Sequence, residues 1–170
     1  LHNELRADLS WFAGQKHRVT FGAGAIYYIL DRGNVLPYEE ESNRVPVELG
    51  KERGTEVGIY IADEVRLHTR LTFYGGLRIS GFALFGPATV TLYHPNGPKD
   101  ISNVAGQVGY DGGEIIRSYF GPEPRIALNY LVGTNSSIKL SYNRIRQYLF
   151  MLSNTIAISP VDQWKLVDYH

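Results

Sequence analysis

Residues 57–80 read VGIYIADEVRLHTRLTFYGGLRIS, and this stretch decides the fold that the sequence predicts. Apolar side chains alternate with polar ones on both sides of the HTR corner. An alternation with a period of two is typical of a half-buried β-strand. Ile59 before the corner, and Leu77 and Ile79 after it, therefore share one face, while Arg78 lies on the other. The stretch predicts a β-hairpin with one apolar and one polar face.

The same alternation recurs in six runs along the chain. They cover residues 5–13, 19–29, 56–67, 70–86, 125–132 and 138–143. Beyond Asn143 the sixth run breaks its alternation. Two explanations are open: a β-bulge restores the pattern, or the strand leaves the apolar layer. The sequence therefore predicts an all-β, antiparallel protein of about six strands.

The connections between these runs alternate strictly between short and long. Residues 13–17, 67–69 and 133–137 fit tight hairpins, whereas residues 31–54 and 86–122 are far longer than an ordinary connection. In a meander of antiparallel strands, every second connection emerges on the same side of the sheet. Transmembrane β-barrels have this asymmetry, with short periplasmic turns and long extracellular loops. The pattern predicts a segment of such a barrel.

The short turns must keep the apolar residues of both strands on one face. Because side chains alternate with a period of two, each turn needs an odd number of residues or a bulge. In three-residue hairpin loops one residue is often left-handed, and glycine adopts that conformation easily. Gly14 and Gly133 are placed for this role.

The polar face of the predicted sheet carries charged residues at six positions. These residues are Glu64, Arg66, Arg70, Arg78, Arg125 and Lys139. A basic side chain at the lipid midplane costs about 2 to 4 kcal/mol, so this face is predicted to be hydrated or ion-paired and to line a barrel lumen. Four glycines share the face, where they leave room for a plug or allow curvature. They are Gly22, Gly24, Gly58 and Gly76.

Composition excludes several other classes of protein. The 17 basic and 17 acidic residues cancel, which removes the electrostatic basis for nucleic-acid binding. No apolar run reaches the roughly 18 residues of a helical membrane span, and there is no cysteine for a disulfide. The five histidines show no metal-ligand spacing, and GYDGG follows no strand-to-helix pattern. We expect no enzyme, no cofactor and no metal site.

Two segments resemble the barrel of TonB-dependent outer-membrane receptors. Within residues 56–86 the hairpin quoted above, followed by FGP, is similar to a hairpin in which an acidic dipeptide leads through a short turn to a GLR strand. Within residues 121–154, EPRIALNYLVGTNSSIKLSYNRIRQYLFMLSN resembles receptors that carry an additional small N-terminal domain before the plug. Together these segments cover a little over a third of the chain.

The resemblance implies a fold, a location and partners. The family fold is a barrel of 22 strands around an N-terminal plug, and its activity is energised import of metal chelates, cofactors, glycans or peptides. Six tilted strands cannot close around a lumen, so residues 1–170 are expected to form part of a single outer-membrane barrel domain. The implied partners are outer-membrane lipid and the TonB energy-coupling protein, which would bind a region outside this chain. A surface lipoprotein works with some relatives, and that partner stays open.

Aromatic residues in or near the long connections are candidates for substrate binding, because their faces stack on sugars or apolar ligands. They are Tyr93, Tyr119, Phe120, Tyr148 and Trp164. They equally fit an interfacial aromatic girdle or loop packing. The acidic triplet at residues 39–41 fits a cation site or a solvated loop. Two other interpretations of the whole chain remain: a soluble β-sandwich that binds carbohydrate, and a structural outer-membrane barrel without an import role.

Overall fold

A computed structural model describes residues 1–37, 46–153 and 163–167 of the chain. This part of the protein is all-β, and every strand pair in it is antiparallel, as the sequence predicts. Its only helical turn is the 3-10 helix η1 (Ile101–Asn103). None of its helices has the length and apolar character needed to cross a membrane.

Six long strands form one sheet, and three short hairpins accompany it. The strands are β1 (His2–Ala13), β2 (His17–Asp31), β3 (Asn34–Val35), β4 (Val47–Glu48), β5 (Lys51–His68), β6 (Leu71–Phe85), β7 (Ala88–Tyr93), β8 (Val104–Tyr110), β9 (Ile115–Leu131), β10 (Ser137–Asn143), β11 (Leu149–Leu152) and β12 (Gln163–Leu166). The main sheet has the order β1-β2-β5-β6-β9-β10, and β3-β4, β7-β8 and β11-β12 pair separately. The main sheet is thus a meander whose described edges are β1 and β10.

The register of the main sheet keeps the predicted apolar residues together. Ile59 pairs with Ile79 across the β5–β6 hairpin, and Tyr60 pairs with Arg78. Directly paired residues point to the same face of an antiparallel sheet. Each neighbouring pair of long strands follows this rule, so one face is apolar from β1 to β10 and the other is polar around Arg78. The two-faced hairpin predicted from residues 57–80 is confirmed.

The long strands extend further toward the long connections than their apolar runs predict. β9 begins at Ile115 instead of residue 125, and β5 begins at Lys51. The connection predicted between residues 86 and 122 contains the β7–β8 hairpin as well as the first part of β9. These extensions form because β6 pairs with both neighbours as far as its last residue, Phe85. Backbone pairing, which needs no amphipathic pattern, sets the strand length here.

The turns agree with the predicted parity, but only one of the two predicted glycines is left-handed. Gly14 has a φ of 72° in the β1–β2 turn. Gly133 is absent from the positive-φ glycines, so the prediction for that residue is wrong: the β9–β10 connection spans five residues and closes without it. In the β5–β6 hairpin a register shift between Arg66 and His68 supplies the irregularity that parity requires.

Asp63 interrupts the apolar face near the short-turn end of β5, and a neighbouring strand supplies its partner. His17 Nδ1 lies 2.7 Å from Asp63 Oδ2. The two residues lie at the end of the sheet that carries the short turns, where the apolar run is ending. The Asp63 carboxylate therefore has its partner, His17, on the same face of the sheet.

The chain leaves the sheet after Asn143, which is the second of the two predicted alternatives. Opposite this point β9 contains Pro122 and Pro124, whose carbonyl oxygens accept hydrogen bonds from Arg146 Nη1 at 3.0 Å and from Arg144 N at 3.1 Å. Since the N–H and C=O of a strand residue point to the same edge, the missing proline N–H groups face β10 as well. β10 therefore ends where its neighbour offers no donors.

The segment after β10 crosses the polar face and builds the hydrophobic core there. The buried apolar residues at this place are Tyr28, Phe82, Leu84, Tyr148, Leu166 and Val167. The rings of Phe82 and Tyr148 stack with centroids 5.0 Å apart. This apolar cluster lies toward the long connections, because Tyr28 and Phe82 are near the ends of β2 and β6. Only the rest of the polar face stays open.

Candidate functional site: the polar face of the sheet

The open part of the polar face forms a trough of about 570 Å³ across the sheet, from β1 to β9. Its charged and hydroxyl-bearing side chains come from five strands. They are Glu4, Arg6, Glu56, Tyr60, Arg78 and Arg125, with Thr20 and Tyr74 between them. The trough lies within the volume range of about 300 to 1,000 Å³ that is usual for ligand sites. Its lining is polar, so it can contact water or hydrogen-bonding molecules.

Arg78 is the central cation of this trough. Its Nη2 donates a 2.9 Å hydrogen bond to Glu56 Oε1, and its Nε lies 4.0 Å from Glu123 Oε2. Tyr28 OH donates to the second oxygen of Glu56 at 3.3 Å. Two carboxylates thus flank one guanidinium, and the half-buried charges are paired within the sheet.

Glu123 connects the trough to the apolar cluster. Its side chain is almost fully buried, with the residue 1% exposed, and its Oε1 accepts a 2.6 Å hydrogen bond from Ser80 Oγ. Ser80 Oγ also lies 3.0 Å from Tyr148 OH. A serine hydroxyl has one proton, and here it goes to the carboxylate, so Tyr148 donates to Ser80. This chain of three groups holds the segment after β10 against the sheet.

Long side chains lie flat over the glycines of this face. A Cβ at Gly58 would lie 2.8 Å from Arg78 Nε, and one at Gly22 would lie 2.7 Å from Tyr60 Cε1. Tyr60 OH donates a 2.6 Å hydrogen bond to Asp8 across β2. At these two positions the space that glycine leaves is filled by the sheet's own side chains, which the sequence interpretation of these glycines had not considered.

The structure brings five of the six predicted polar residues onto this face. The register sets this common orientation, because it pairs Arg78 with Tyr60, Glu64 with Tyr74, and Arg125 with Gly76. By the same parity Arg66 and Lys139 join them, the latter through its pairing with β9. Arg70 lies in the β5–β6 turn instead of in a strand.

The five candidate aromatic residues do not form one site. Tyr119 and Phe120 belong to β9 instead of a loop, and Tyr148 is buried against Phe82. Tyr93 ends β7 and lines a smaller pocket, whereas Trp164 is exposed on β12. The acidic triplet at residues 39–41 lies outside the described residues.

Sequence reasoning did not single out the most buried polar residues of the face. Glu123 lies between Pro122 and Pro124, just after the predicted connection and before the alternating run that begins at residue 125. Counting in twos from Arg125 would have placed Glu123 on the polar face, so the signal was present. Alternation places Ser80 on the polar face, but its importance comes from contacts with Glu123 and Tyr148, which no local pattern shows.

Three polar atoms of β9 are buried on this face without a hydrogen-bond partner. They are Glu123 Oε2, Arg125 Nε and Asn129 Oδ1. All three residues point to the polar face, because they are separated by even numbers of positions. Among the described residues there is no group of three or more side chains suited to hold a metal ion. What the trough can offer is hydrogen bonding and paired charge.

The opposite face of the sheet is apolar and uncovered. Leu5 on β1 is 78% exposed, Ile59 on β5 is 59% exposed, and Leu140 on β10 is 71% exposed. Trp11 and Ile126 on this face are exposed as well. Since the residues span the sheet from edge to edge, no described element packs over them. The buried core of the protein lies on the polar side.

No protein-family model, curated protein or solved structure matches the chain. Inferences about its function therefore start from the geometry of the two faces. The contrast between an uncovered apolar face and a paired, polar face is the feature that a function must explain.

Proposed function

We propose that this chain forms part of the wall of an outer-membrane β-barrel, with the apolar face against lipid and the polar face toward the lumen. The observation that carries the proposal is the uncovered apolar face, which extends across all six strands of the main sheet. Monomeric soluble proteins rarely expose contiguous apolar patches larger than a few hundred Å². Lipid is an environment in which such a face is stable.

The height of the apolar band fits this assignment. On β2 it extends from Val19 to Ile29, and on β5 it extends from Val57 to Leu67, interrupted at the fourth of its six positions by Asp63, which pairs with His17. Both stretches have about the 9 to 11 residues that a tilted strand needs to cross the hydrocarbon layer. The strands then continue past the band on the side of the long connections.

A soluble β-sandwich fits the same sheet less well. That architecture needs a second sheet over the apolar face, since the inner faces of both sheets form its core. In residues 1–37, 46–153 and 163–167 the covering hairpin β11–β12 packs on the polar face instead. The sandwich would therefore have to obtain its second sheet from elsewhere.

The two edges of the sheet support a larger barrel. β1 and β10 each pair on one side only within the described chain. Unpaired backbone groups are costly in lipid, so membrane sheets close on themselves. Six strands are too few to close around this trough, and we assign residues 1–170 to one barrel domain that has further strands.

The import role rests on the resemblance to TonB-dependent receptors and on the polar trough. In this proposal the barrel takes up a nutrient such as a metal chelate, a cofactor, a glycan or a peptide. The TonB energy-coupling protein acts through a region outside this chain, and a surface lipoprotein remains an open partner. The proposal contains no catalytic step, no metal and no nucleic acid.

Single-cysteine labelling of the full-length protein in intact cells tests the topology, because residues 1–170 contain no cysteine. Pro95→Cys lies beyond β7 among the long connections, and Gln15→Cys lies in the β1–β2 turn. A bulky, membrane-impermeant maleimide should label the first in intact cells and the second only after the outer membrane is permeabilised. Leu77→Cys should resist the reagent in both conditions.

Equal labelling of both turns in intact cells, or recovery of the folded protein without membrane, would overturn the barrel assignment. The import role has a separate readout. A barrel that assembles correctly, but whose deletion leaves uptake of all four nutrient classes unchanged, is a structural barrel.

A further inference from the structure

A groove crosses the apolar face of the sheet, on the side opposite the trough. It has a volume of about 500 Å³ and is lined by residues of β1, β2, β5, β6 and β9. The small residues Ala7, Ala23 and Gly81 leave the space, and larger residues such as Ile59 and Phe120 border it. Because its lining is almost entirely apolar, the groove suits a narrow apolar body such as an acyl chain.

A row of hydroxyl groups lies beside the groove, toward the long connections. Tyr27 pairs with Thr55. Ala83 pairs with Thr55 on one side and with Ser118 on the other. Since directly paired residues point to the same face, the three hydroxyl groups share the face of the groove. Val57, which lines the groove, lies two residues further along β5 than Thr55. The apolar surface therefore becomes polar at this row.

Arg53 follows the row of hydroxyl groups on the same face. It pairs with Ile29 of β2 and with Phe85 of β6, and it is partly exposed. Along β5 its Cα lies roughly 13 Å from that of Val57, at about 3.4 Å per residue. An arginine lays its carbon stem along an apolar surface while its guanidinium stays in a polar layer. In the proposed membrane orientation this guanidinium lies at the level of the lipid head groups.

Arg53 also differs from the other basic residues that the long strands place on this face. Lys51 Nζ lies 3.5 Å from Asp31 Oδ2, and His17 Nδ1 lies 2.7 Å from Asp63 Oδ2. Within the described part of the chain, Arg53 has no ion pair. One cation beyond the end of the groove is therefore available to an anion.

We propose that the groove and Arg53 together form a binding site for lipid A, the phosphorylated lipid of the outer leaflet. An acyl chain lies in the groove, and a phosphate meets the guanidinium of Arg53 beside the hydroxyl group of Thr55. A guanidinium suits this role, because it forms two parallel hydrogen bonds with a phosphate. This inference rests on the proposed function, since that topology places the long connections outside the cell and Arg53 in the outer leaflet.

The distribution of charge on this face favours lipid A over other lipids. The available cation lies beyond one end of the groove, so the ligand needs its anionic group and its acyl chain at opposite ends. A zwitterionic phospholipid also carries a phosphate, but its own ammonium group competes with Arg53 for that phosphate. The phosphates of lipid A have no such internal partner. Charge complementarity therefore selects the more anionic lipid.

Native mass spectrometry of the purified full-length protein in detergent tests the contact with phosphate. The probes are lipid A and the same lipid from which a phosphatase has removed the phosphates. We expect wild-type protein to bind lipid A at least about tenfold more tightly, because hydrogen bonds between charged groups are strong. Arg53→Gln should remove this preference and leave the affinity for the phosphate-free lipid unchanged. The matched variant Arg66→Gln, on the polar face of the same strand, should behave like wild type.

A second pair of variants tests the groove. Ala23→Phe fills the space between β1 and β5 while keeping the face apolar, so the barrel should still assemble. Affinity for both forms of the lipid should fall several-fold, because the acyl chain loses its place. Ala13→Phe makes the same change on the same face outside the groove, and it should leave both affinities unchanged. Heat-modifiable migration checks that each variant is folded.

Four results would overturn the site. They are equal binding of lipid A and its phosphate-free form, equal effects of Arg53→Gln and Arg66→Gln, equal effects of Ala23→Phe and Ala13→Phe, and binding of phosphatidylglycerol as tight as that of lipid A. None of them changes the cysteine labelling pattern. A protein that passes the labelling test and gives one of these results keeps its membrane assignment and loses only the lipid site.

Discussion

The two faces of the main sheet reverse the usual arrangement of a soluble protein. Around Ile59 the apolar side chains are exposed, whereas around Glu123 the polar ones are buried and hydrogen-bonded. In a soluble sheet the apolar side would be the covered one. Here the residues that cover the sheet, which belong to the described stretches 144–153 and 163–167, pack on the polar side.

Alternation along the strands thus determines which residues share a face, but not what each face contacts. The polar face holds an open trough and, beside it, the apolar cluster around Phe82. The apolar face is not divided in this way into an open part and a covered part. Among the described residues, packing by the chain itself stabilises the polar face but not the apolar one. Substitutions on one face, each matched by a control, test this contrast.

Phe82→Ala should have the largest effect, because it removes the centre of the cluster on the polar face. Replacing a buried Phe with Ala costs about 3 to 5 kcal/mol. Phe12 lies on the same face near the short turns and is largely exposed. Arg18 Cζ lies over its ring, 5.9 Å from the ring centroid. Phe12→Ala should therefore cost only about 0.5 to 1 kcal/mol. Urea-unfolding midpoints of the purified protein measure both, and similar shifts would mean that no core lies on the polar face.

Leu77→Arg should come next, since it places a charge on the face assigned to lipid. A basic residue at the bilayer midplane costs about 2 to 4 kcal/mol, and less near an interface. Thr20→Arg puts the same side chain into the open trough, on the face that is proposed to line the lumen. The amount of protein with heat-modifiable migration in the outer membrane should fall sharply for the first variant only. Equal loss in both would remove the distinction between the faces.

Glu123→Ala tests the buried hydrogen bonds of the polar face. Without the carboxylate, the Ser80 hydroxyl loses its acceptor and Arg78 loses its second anionic neighbour. We expect a loss of about 1 to 3 kcal/mol in the free energy of unfolding. Glu64→Ala removes an exposed carboxylate from the same face and serves as the control. Protease cleavage after Arg146 should also become faster in Glu123→Ala, because Ser80 and Tyr148 are coupled to Glu123. An unchanged rate would separate that segment from the network.

Much of the main sheet could be predicted because its information is local. Leu71, Leu77 and Ile79 reveal their face through their immediate neighbours, and short turns carry that face from strand to strand. The start of β9 could not be found in this way. Residues 115–124 contain two prolines and no steady alternation, and they form a strand because β6 is already there to pair with them.

The candidate site was less predictable than the sheet. Arg78 was placed on the polar face by its own strand, yet its partners Glu56 and Glu123 depend on the register of three strands. Tyr148 lies on a segment whose path is set by the end of β10 opposite Pro122 and Pro124. Contacts of this kind join residues that are distant in sequence. No pattern within one segment contains them.

Gly14→Ala should have the smallest effect, and it addresses how the two faces are kept in register. Gly14 has a φ of 72°, a conformation that costs other residues roughly 1 to 2 kcal/mol. Gly133 is not left-handed, and a Cβ at either glycine meets no atom within 4 Å. Gly133→Ala is therefore a matched control in which only the backbone conformation differs. The unfolding midpoint should fall for Gly14→Ala and stay nearly constant for Gly133→Ala. If both variants were neutral, the β1–β2 turn would not set the register, and the pairing of apolar residues across these strands would have to do so alone.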